Sequence, residues 1–288
     1  MREPYLRRLG LTAPAAVSPT RAWLAALIAA QLSAVPFENV SLHSGTPISL
    51  SLPDLTDKII HRGRGGFCFE VNYLFSELLK LMGYTVLLVP ARVYAGDGFR
   101  GEPTHIVILV GGVADQPDHV RYLVDVGFGE PCIEPLLYDV LAGEQRSVEG
   151  MRSRIVEGES GEMVLEWCVD DSWKPRLSWT KSDAARQEAL PFESIQAMCD
   201  TITAGSIFTE KLIVCMLTEH RKTTLAGSRL KVTSPRFGAE SSQTVTQLTS
   251  LDEVRAVLDD KFGIRLTETQ NLDMGASYAA DPAVWSQL

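Results

Sequence analysis

The sequence predicts an α+β protein in which helices come first and antiparallel strands follow. Three observations carry that reading. Up to about residue 83 the apolar residues recur with a helical period, and from Tyr84 onward they fall into short runs rich in β-branched residues. The third is the return of one helical pattern, 252–262, behind a second group of short strands. A chain of 288 residues is long enough for two or three packed parts.

The first long helix is expected over 18–34. Ser18-Pro19 reads as a cap with an N1 proline, and Trp23, Leu24, Leu27, Ile28 and Gln31 keep a 3.6-residue period. The apolar stretch 22–30 is too short to span a bilayer, so it reads as an amphipathic helix rather than a targeting segment. A second helix is expected over 53–61. The third, 68–82, is stopped by Gly83, and Val71, Leu74, Phe75, Leu78, Leu79 and Met82 form its apolar stripe. Strands follow over 85–89, 105–110, 122–126, 153–157 and 163–169, with Gly111-Gly112 and 114–119 joining two of them as a hairpin. This is a small antiparallel sheet or barrel. Two prolines and little periodicity make 173–191 a connector crossing the molecule. Beyond it, 211–218, 223–226, 230–233 and 244–248 read as strands, and 252–262 as a helix ended by Gly263.

Composition narrows the function. A net charge of −9 disfavours a nucleic-acid surface, and 45% apolar with 22% charged residues is ordinary globular usage. The five cysteines, Cys68, Cys132, Cys168, Cys199 and Cys215, are widely spaced with no Cys-x-x-Cys pair. That pattern speaks against a disulfide framework and against a zinc site. No metal is expected, and reduced thiols suit a cytoplasmic protein.

One cysteine stands apart. Arg62-Gly63-Arg64-Gly65-Gly66-Phe67-Cys68-Phe69-Glu70 puts a thiol at the start of the third helix, just behind two glycines that permit a tight turn. The positive end of a helix lowers a thiol's pKa, so Cys68 is a candidate nucleophile. Such a nucleophile needs a base and a third group to orient the base. His105 opens an apolar strand after Glu102-Pro103-Thr104, where a polar side chain is expected to face a cleft. Asp125 lies between valines at the end of the next strand, where it must face solvent or find a partner. If the two strands are hairpin neighbours, Asp125 can hold the imidazole. The set then follows the logic of a cysteine-protease-like Cys-His-Asn core with an acid in place of the amide.

Four motifs now stand together: Val35-Pro36-Phe37-Glu38-Asn39, Arg64-Gly65-Gly66-Phe67-Cys68-Phe69-Glu70, Thr104-His105, and Asp125-Val126-Gly127-Phe128-Gly129. In order and spacing the chain resembles the arylamine N-acetyltransferases over roughly residues 5–235. The resemblance implies three parts: a helical bundle (1–83) carrying the cysteine, a β-barrel (84–190) carrying the histidine and aspartate, and an α/β lid (191–288). It implies ping-pong transfer from acetyl-coenzyme A, a co-substrate rather than a resident cofactor, to an arylamine, arylhydrazine or N-hydroxyarylamine. Cys68 would carry the acetyl group, His105 would move protons, Asp125 would orient His105, and backbone N–H groups near Cys68 would serve the oxyanion. Phe37, Val93, Phe128 and Phe208 would line the acceptor pocket. Thr104, Phe128, Gly129 and Ser206 would contact the coenzyme. Arg64 would tie the cysteine loop to Glu38 and Glu70.

The segment 200–208 only approximates the family's coenzyme loop, and the 105–125 stretch is longer than the family's, which its polar loop can absorb. Two other readings compete: a related acyltransferase or amide synthase using malonyl- or propionyl-coenzyme A or a polyketide thioester, and a lapsed member that only binds ligands. The intact Cys68, His105 and Asp125 speak against the lapsed member. The expected partners are small molecules, with no nucleic acid and no membrane, in a monomer or homodimer.

Overall fold

A computed structural model describes residues 1–12, 18–99, 101–186, 188–238, 240–267 and 272. The end of the expected third part, 273–288, lies outside the described residues. The N-terminal helices are α1 (Arg2–Arg8), α2 (Arg21–Ala34), the short α3 (Val40–His43), α4 (Leu52–Leu55) and α5 (Cys68–Leu81). Between α4 and α5 the chain widens into a π-helical turn over Thr56–His61. The cap of α2 is Thr20, whose side chain accepts the Trp23 N–H, so Ser18-Pro19 precedes the helix instead of opening it.

The strands of the central sheet are β2 (Thr85–Val93), β3 (His105–Gly111), β4 (Tyr122–Val124), β5 (Leu136–Leu137), β6 (Gln145–Arg146), β7 (Arg152–Glu157), β8 (Met163–Val169) and β9 (Ser172–Trp179). They are antiparallel throughout, in the order β5-β4-β3-β2-β9-β8-β7-β6. A side chain joins the two edges. The Gln145 amide on β6 accepts the Leu137 N–H at 2.8 Å and donates to the Leu137 carbonyl at 2.9 Å on β5, standing in for a backbone pair. The sheet thus nearly closes into a barrel, which leaves fewer edges to protect.

Every residue of β3 is buried, because both faces are covered. Ile106, Ile108 and Val110 pack with α2 and α5, while Val107 and Leu109 join Leu165, Leu177 and Trp179 in the barrel interior. The pleat alternation therefore assigns successive residues to two cores.

The stretch 173–191 is not a simple connector. Most of it is β9 and a short helix, α6 (Lys181–Ala184), and Pro175 is accommodated where the β8–β9 register shifts at Leu165/Glu166. A bulge tolerates the missing N–H that a regular ladder would not.

A second sheet has the order β1-β10-β11-β12-β13, all antiparallel: β1 (Phe37–Glu38), β10 (Ile213–Leu217), β11 (Lys222–Ala226), β12 (Arg229–Ser234) and β13 (Ser242–Gln247). One face, with Val214, Leu225 and Leu230, packs on α9 (Leu251–Phe262) through Val254, Leu258 and Phe262. Ahead of this sheet lie α7 (Phe192–Ala204) and α8 (Ile207–Glu210); α7 occupies a stretch with no helical expectation from its sequence. Strand β1 comes from between two N-terminal helices, so it stitches the cysteine region to the second sheet.

Candidate active site

The cysteine loop is held by close approach rather than by unusual torsion. A Cβ on Gly65 would lie 1.9 Å from the Pro36 carbonyl oxygen, and one on Gly66 2.8 Å from the Glu70 Cβ. The glycine of this loop with positive φ is Gly63, at +68°. Missing side chains let the loop press on β1, where Gly66 accepts the Glu38 N–H at 2.9 Å and donates to Pro36 at 3.3 Å.

Two buried ion pairs brace the loop. Arg64 donates to Glu38 Oε1 from Nη2 at 2.8 Å and from Nε at 3.0 Å. Glu70 pairs instead with Lys58, 2.7 Å from its Nζ, which corrects the expected Arg64 partnership. The reason is local: as the third residue of α5, Glu70 reaches back to accept the Phe67 N–H at 3.1 Å, and that orientation faces the π-helical turn. Burial pushes the Glu38 carboxyl up, but Lys58 and Arg64 outweigh it and hold the group below the usual carboxylate range. For Glu70 burial wins over Lys58, and its pKa is raised.

Cys68 opens α5, yet its pKa shifts in the direction opposite to the one the helix-start argument expects. Burial pushes its pKa well up, the Asp125 carboxylate adds to that, and the Phe69 N–H opposes both. Desolvation of a thiolate outweighs a half-charge of helix dipole. Burial and Asp125 thus both favour the protonated thiol at Cys68.

His105, 2% exposed, shares with Cys68 the wall of a cleft of about 230 Å³. Its Nε2 lies 2.7 Å from Asp125 Oδ2, which leaves Nδ1 as the nitrogen not engaged by the carboxylate. Phe128 meets the imidazole edge-to-face at 5.3 Å and is itself braced by Trp167 at 5.6 Å. An aromatic cover explains how a strand-end histidine can be buried and still line a cleft.

Asp125 sits just past β4, which ends at Val124. The ladder stops there because the next N–H groups turn elsewhere: Val126 donates to Asn72 Oδ1 and Gly127 to Asp125 Oδ1, each at 2.8 Å. Asn72 Nδ2 donates to Asp125 Oδ1 at 2.9 Å and to the Ile106 carbonyl at 2.8 Å. One turn beyond Cys68 on the same face of α5, Asn72 thereby fixes the carboxylate to the helix that carries the thiol. Sequence reasoning missed it; the signal was a polar residue at i+4 from the cysteine, beside an apolar stripe. Gly127 is a matching requirement, since its Cβ would fall 2.8 Å from the Cys68 Cα.

The cleft brings together Phe37, Cys68, Val93, Thr104, His105, Phe128, Gly129, Ser206 and Phe208. Asp125 lies behind it, lining a smaller cavity on the barrel side. Asn39 clamps the segment that carries Phe208: its Nδ2 donates to the carbonyls of Phe208 and Lys211, and its Oδ1 accepts the Ile213 N–H, each at 2.7 Å. Phe37 then meets the Phe208 ring at 5.8 Å. Among the unforeseen lining residues, Tyr94 follows β2, and Ile202, Ile207, Ile213, Cys215, Lys222 and Thr224 come from the second sheet and its helices.

A buried thiol at a helix start, sharing a cleft with an imidazole that a carboxylate engages from behind, has the parts needed to form and break thioesters. This is the arrangement of cysteine-dependent acyl transfer. A family model described as N-acetyltransferase matches residues 22–271. The arylamine N-acetyltransferase of Mycolicibacterium smegmatis is 30% identical, covering 96% of each chain, and mouse arylamine N-acetyltransferase 2 is 27% identical, covering 92% of this chain and 94% of its own. A solved Mycobacterium smegmatis structure with a cysteine-to-glutamine change superposes with a TM-score of 0.82 at 27% identity, covering 97% of this chain and 98% of the other. The Mycobacterium marinum enzyme in complex with CoA gives 0.81 at 25% identity, covering 95% and 96%. The chain belongs to the arylamine N-acetyltransferase family.

Proposed function

We propose that this protein transfers an acetyl group from acetyl-coenzyme A, through a thioester on Cys68, to an aromatic amine or hydrazine. The observation that carries the reading is the shared cleft of Cys68 and His105, with Asp125 taking Nε2 from behind at 2.7 Å. His105 accepts the Cys68 proton at Nδ1 as Sγ attacks the thioester carbonyl. The oxyanion that forms is met by N–H groups at the start of α5. It collapses by expelling the coenzyme thiolate, which takes the proton back from His105. The amine then attacks the acetyl-cysteine, His105 removes the amine proton, and Cys68 leaves and is reprotonated. Thiol and imidazole return to their starting states, so one pair serves both halves.

The cleft suits both substrates. Phe37, Val93, Phe128 and Phe208 offer an aromatic acceptor an apolar lining. Thr104, Gly129 and Ser206 line the same space, and Gly129 has no atom within 4 Å of where a Cβ would stand, leaving room for a slender pantetheine arm. We infer a cytoplasmic enzyme acting as a monomer or homodimer. All five cysteines are free thiols, and among the described residues no helix is long and apolar enough to cross a membrane.

Intact mass spectrometry after mixing with acetyl-coenzyme A and no acceptor tests the reading. One added acetyl group is expected on the wild type, none on Cys68→Ala and none on His105→Gln within the same time. A wild type that stays unmodified would overturn acetyl transfer.

A further inference from the structure

The second sheet ends on β13, and among the described residues this strand pairs on one side only, with β12. Every residue of β13 is exposed. A sheet edge carries unpaired N–H and carbonyl groups that template a further strand, and proteins ordinarily guard it with lysines, prolines or bulges. This edge has no such guard. Residues 241–251 include no charged residue, no proline and no glycine, and the register with β12 runs unbroken from Arg229/Gln247 to Ser234/Ser242.

One bond fixes the phase of the edge. Leu248, the residue after β13, donates its N–H to the Ser228 carbonyl at 2.8 Å, on the β12 side. Main-chain groups alternate in direction along a strand, so Thr246, Thr244 and Ser242 address β12, whereas Gln247, Val245 and Gln243 aim N–H and carbonyl away from the sheet. Around the middle one the sequence reads the same in both directions: Gln243-Thr244-Val245-Thr246-Gln247. A two-fold axis through an antiparallel pair sets a strand against its own reverse, so a palindrome centred on a residue is complementary to itself. Val245 then faces Val245 of the partner subunit, and Gln243 faces the partner's Gln247, with outward groups opposite outward groups in each pair. Thr244 falls opposite the partner's Thr246, and threonine and β-branched pairs are favourable cross-strand neighbours. Two chains of net charge −9 repel, and a neutral edge is where they approach at least cost.

We propose that this edge is a homodimer interface, in which β13 of one protomer adds antiparallel to β13 of its partner across a two-fold axis at Val245 and joins the two second sheets into one. Because β10 and β11 supply Ile213, Cys215, Lys222 and Thr224 to the catalytic cleft, the two clefts of the dimer stand on one continuous sheet.

Sedimentation equilibrium of the full chain between about 5 and 500 μM tests the interface. One strand makes a small contact, so a monomer–dimer equilibrium with a dissociation constant on the order of 10–100 μM is expected. Val245→Pro removes only an outward N–H and leaves the ladder to β12 intact, so it should be monomeric while keeping the wild-type urea midpoint and acetylation rate. Val245→Lys, which sets like charges opposite each other, should be monomeric too and decides the matter if the proline variant does not fold. Register is read by oxidative cross-linking against the wild type. Two Val245→Cys chains meet about 5.5 Å apart at Cα and should form a disulfide dimer, whereas two Thr244→Cys chains meet on the diagonal, roughly 8 Å apart, and should not. A wild type that stays monomeric at the highest concentration would overturn the interface, as would a dimer that a folded Val245→Pro or Val245→Lys keeps. Equal cross-linking of the two cysteine variants would overturn the two-fold at Val245.

Discussion

At the scale of single residues, Asn72 does more for the site than its neighbours in sequence indicate. Its amide bonds Asp125 and the Ile106 carbonyl and accepts from Val126, so it ties together the helix of the thiol, the strand of the imidazole and the turn of the carboxylate. Replacing it by alanine leaves the buried Ile106 carbonyl and Val126 N–H without these partners and frees Asp125 to turn. We expect Asn72→Ala to slow acylation of Cys68 roughly ten- to a hundredfold, with a stability loss of about 1–3 kcal/mol. Rapid-quench mass spectrometry and urea unfolding read the two effects. An acylation rate equal to the wild type's would mean that Asp125 is positioned without it. Cys68 and His105 stand out as candidates in the sequence because each sits at a local punctuation mark, a glycine pair before a helix and an X-Pro before a strand. Asn72 does not, because its partners lie 34 to 54 residues away and only folding brings them together.

At the scale of elements, apolar runs were the most legible and interrupted ones the least. Strand β3 reads as a strand from composition alone, since burial on both faces demands an unbroken apolar run. Strand β9, carrying Pro175 and charged residues, reads as a connector until its bulged pairing with β8 is seen. The barrel seam was equally hidden, because it is made by a side chain. Gln145 suits the role because its amide both donates and accepts, matching the N–H and carbonyl of Leu137. Gln145→Ala should cost about 1–2 kcal/mol, and Gln145→Glu should not restore it, because a carboxylate can accept but not donate. Urea midpoints measure both, and a Gln145→Glu variant as stable as the wild type would remove the seam from the account of the barrel.

At the scale of the whole molecule, the thiols make stability depend on alkaline pH. Burial pushes Cys132 and Cys199 up to about 12 and Cys68 well above its ordinary value. In the unfolded chain these thiols titrate near about 8.5. Between those values the folded protein keeps protons that the unfolded chain releases, so stability falls as pH rises. The contribution is fully present below about pH 8.5 and is lost progressively toward about pH 12, at roughly 1.4 kcal/mol per pH unit for each such thiol. A net charge of −9 works in the same direction, since further ionisation adds to self-repulsion. Cys199, almost wholly buried in α7, is one such thiol. In denaturant titrations between pH 8 and 10, wild-type stability should decline, and Cys199→Ala should decline less steeply by the increment of one thiol. Parallel declines for the two proteins would assign the alkaline loss to other groups, and a flat wild-type profile would show that the buried thiols ionise as readily folded as unfolded.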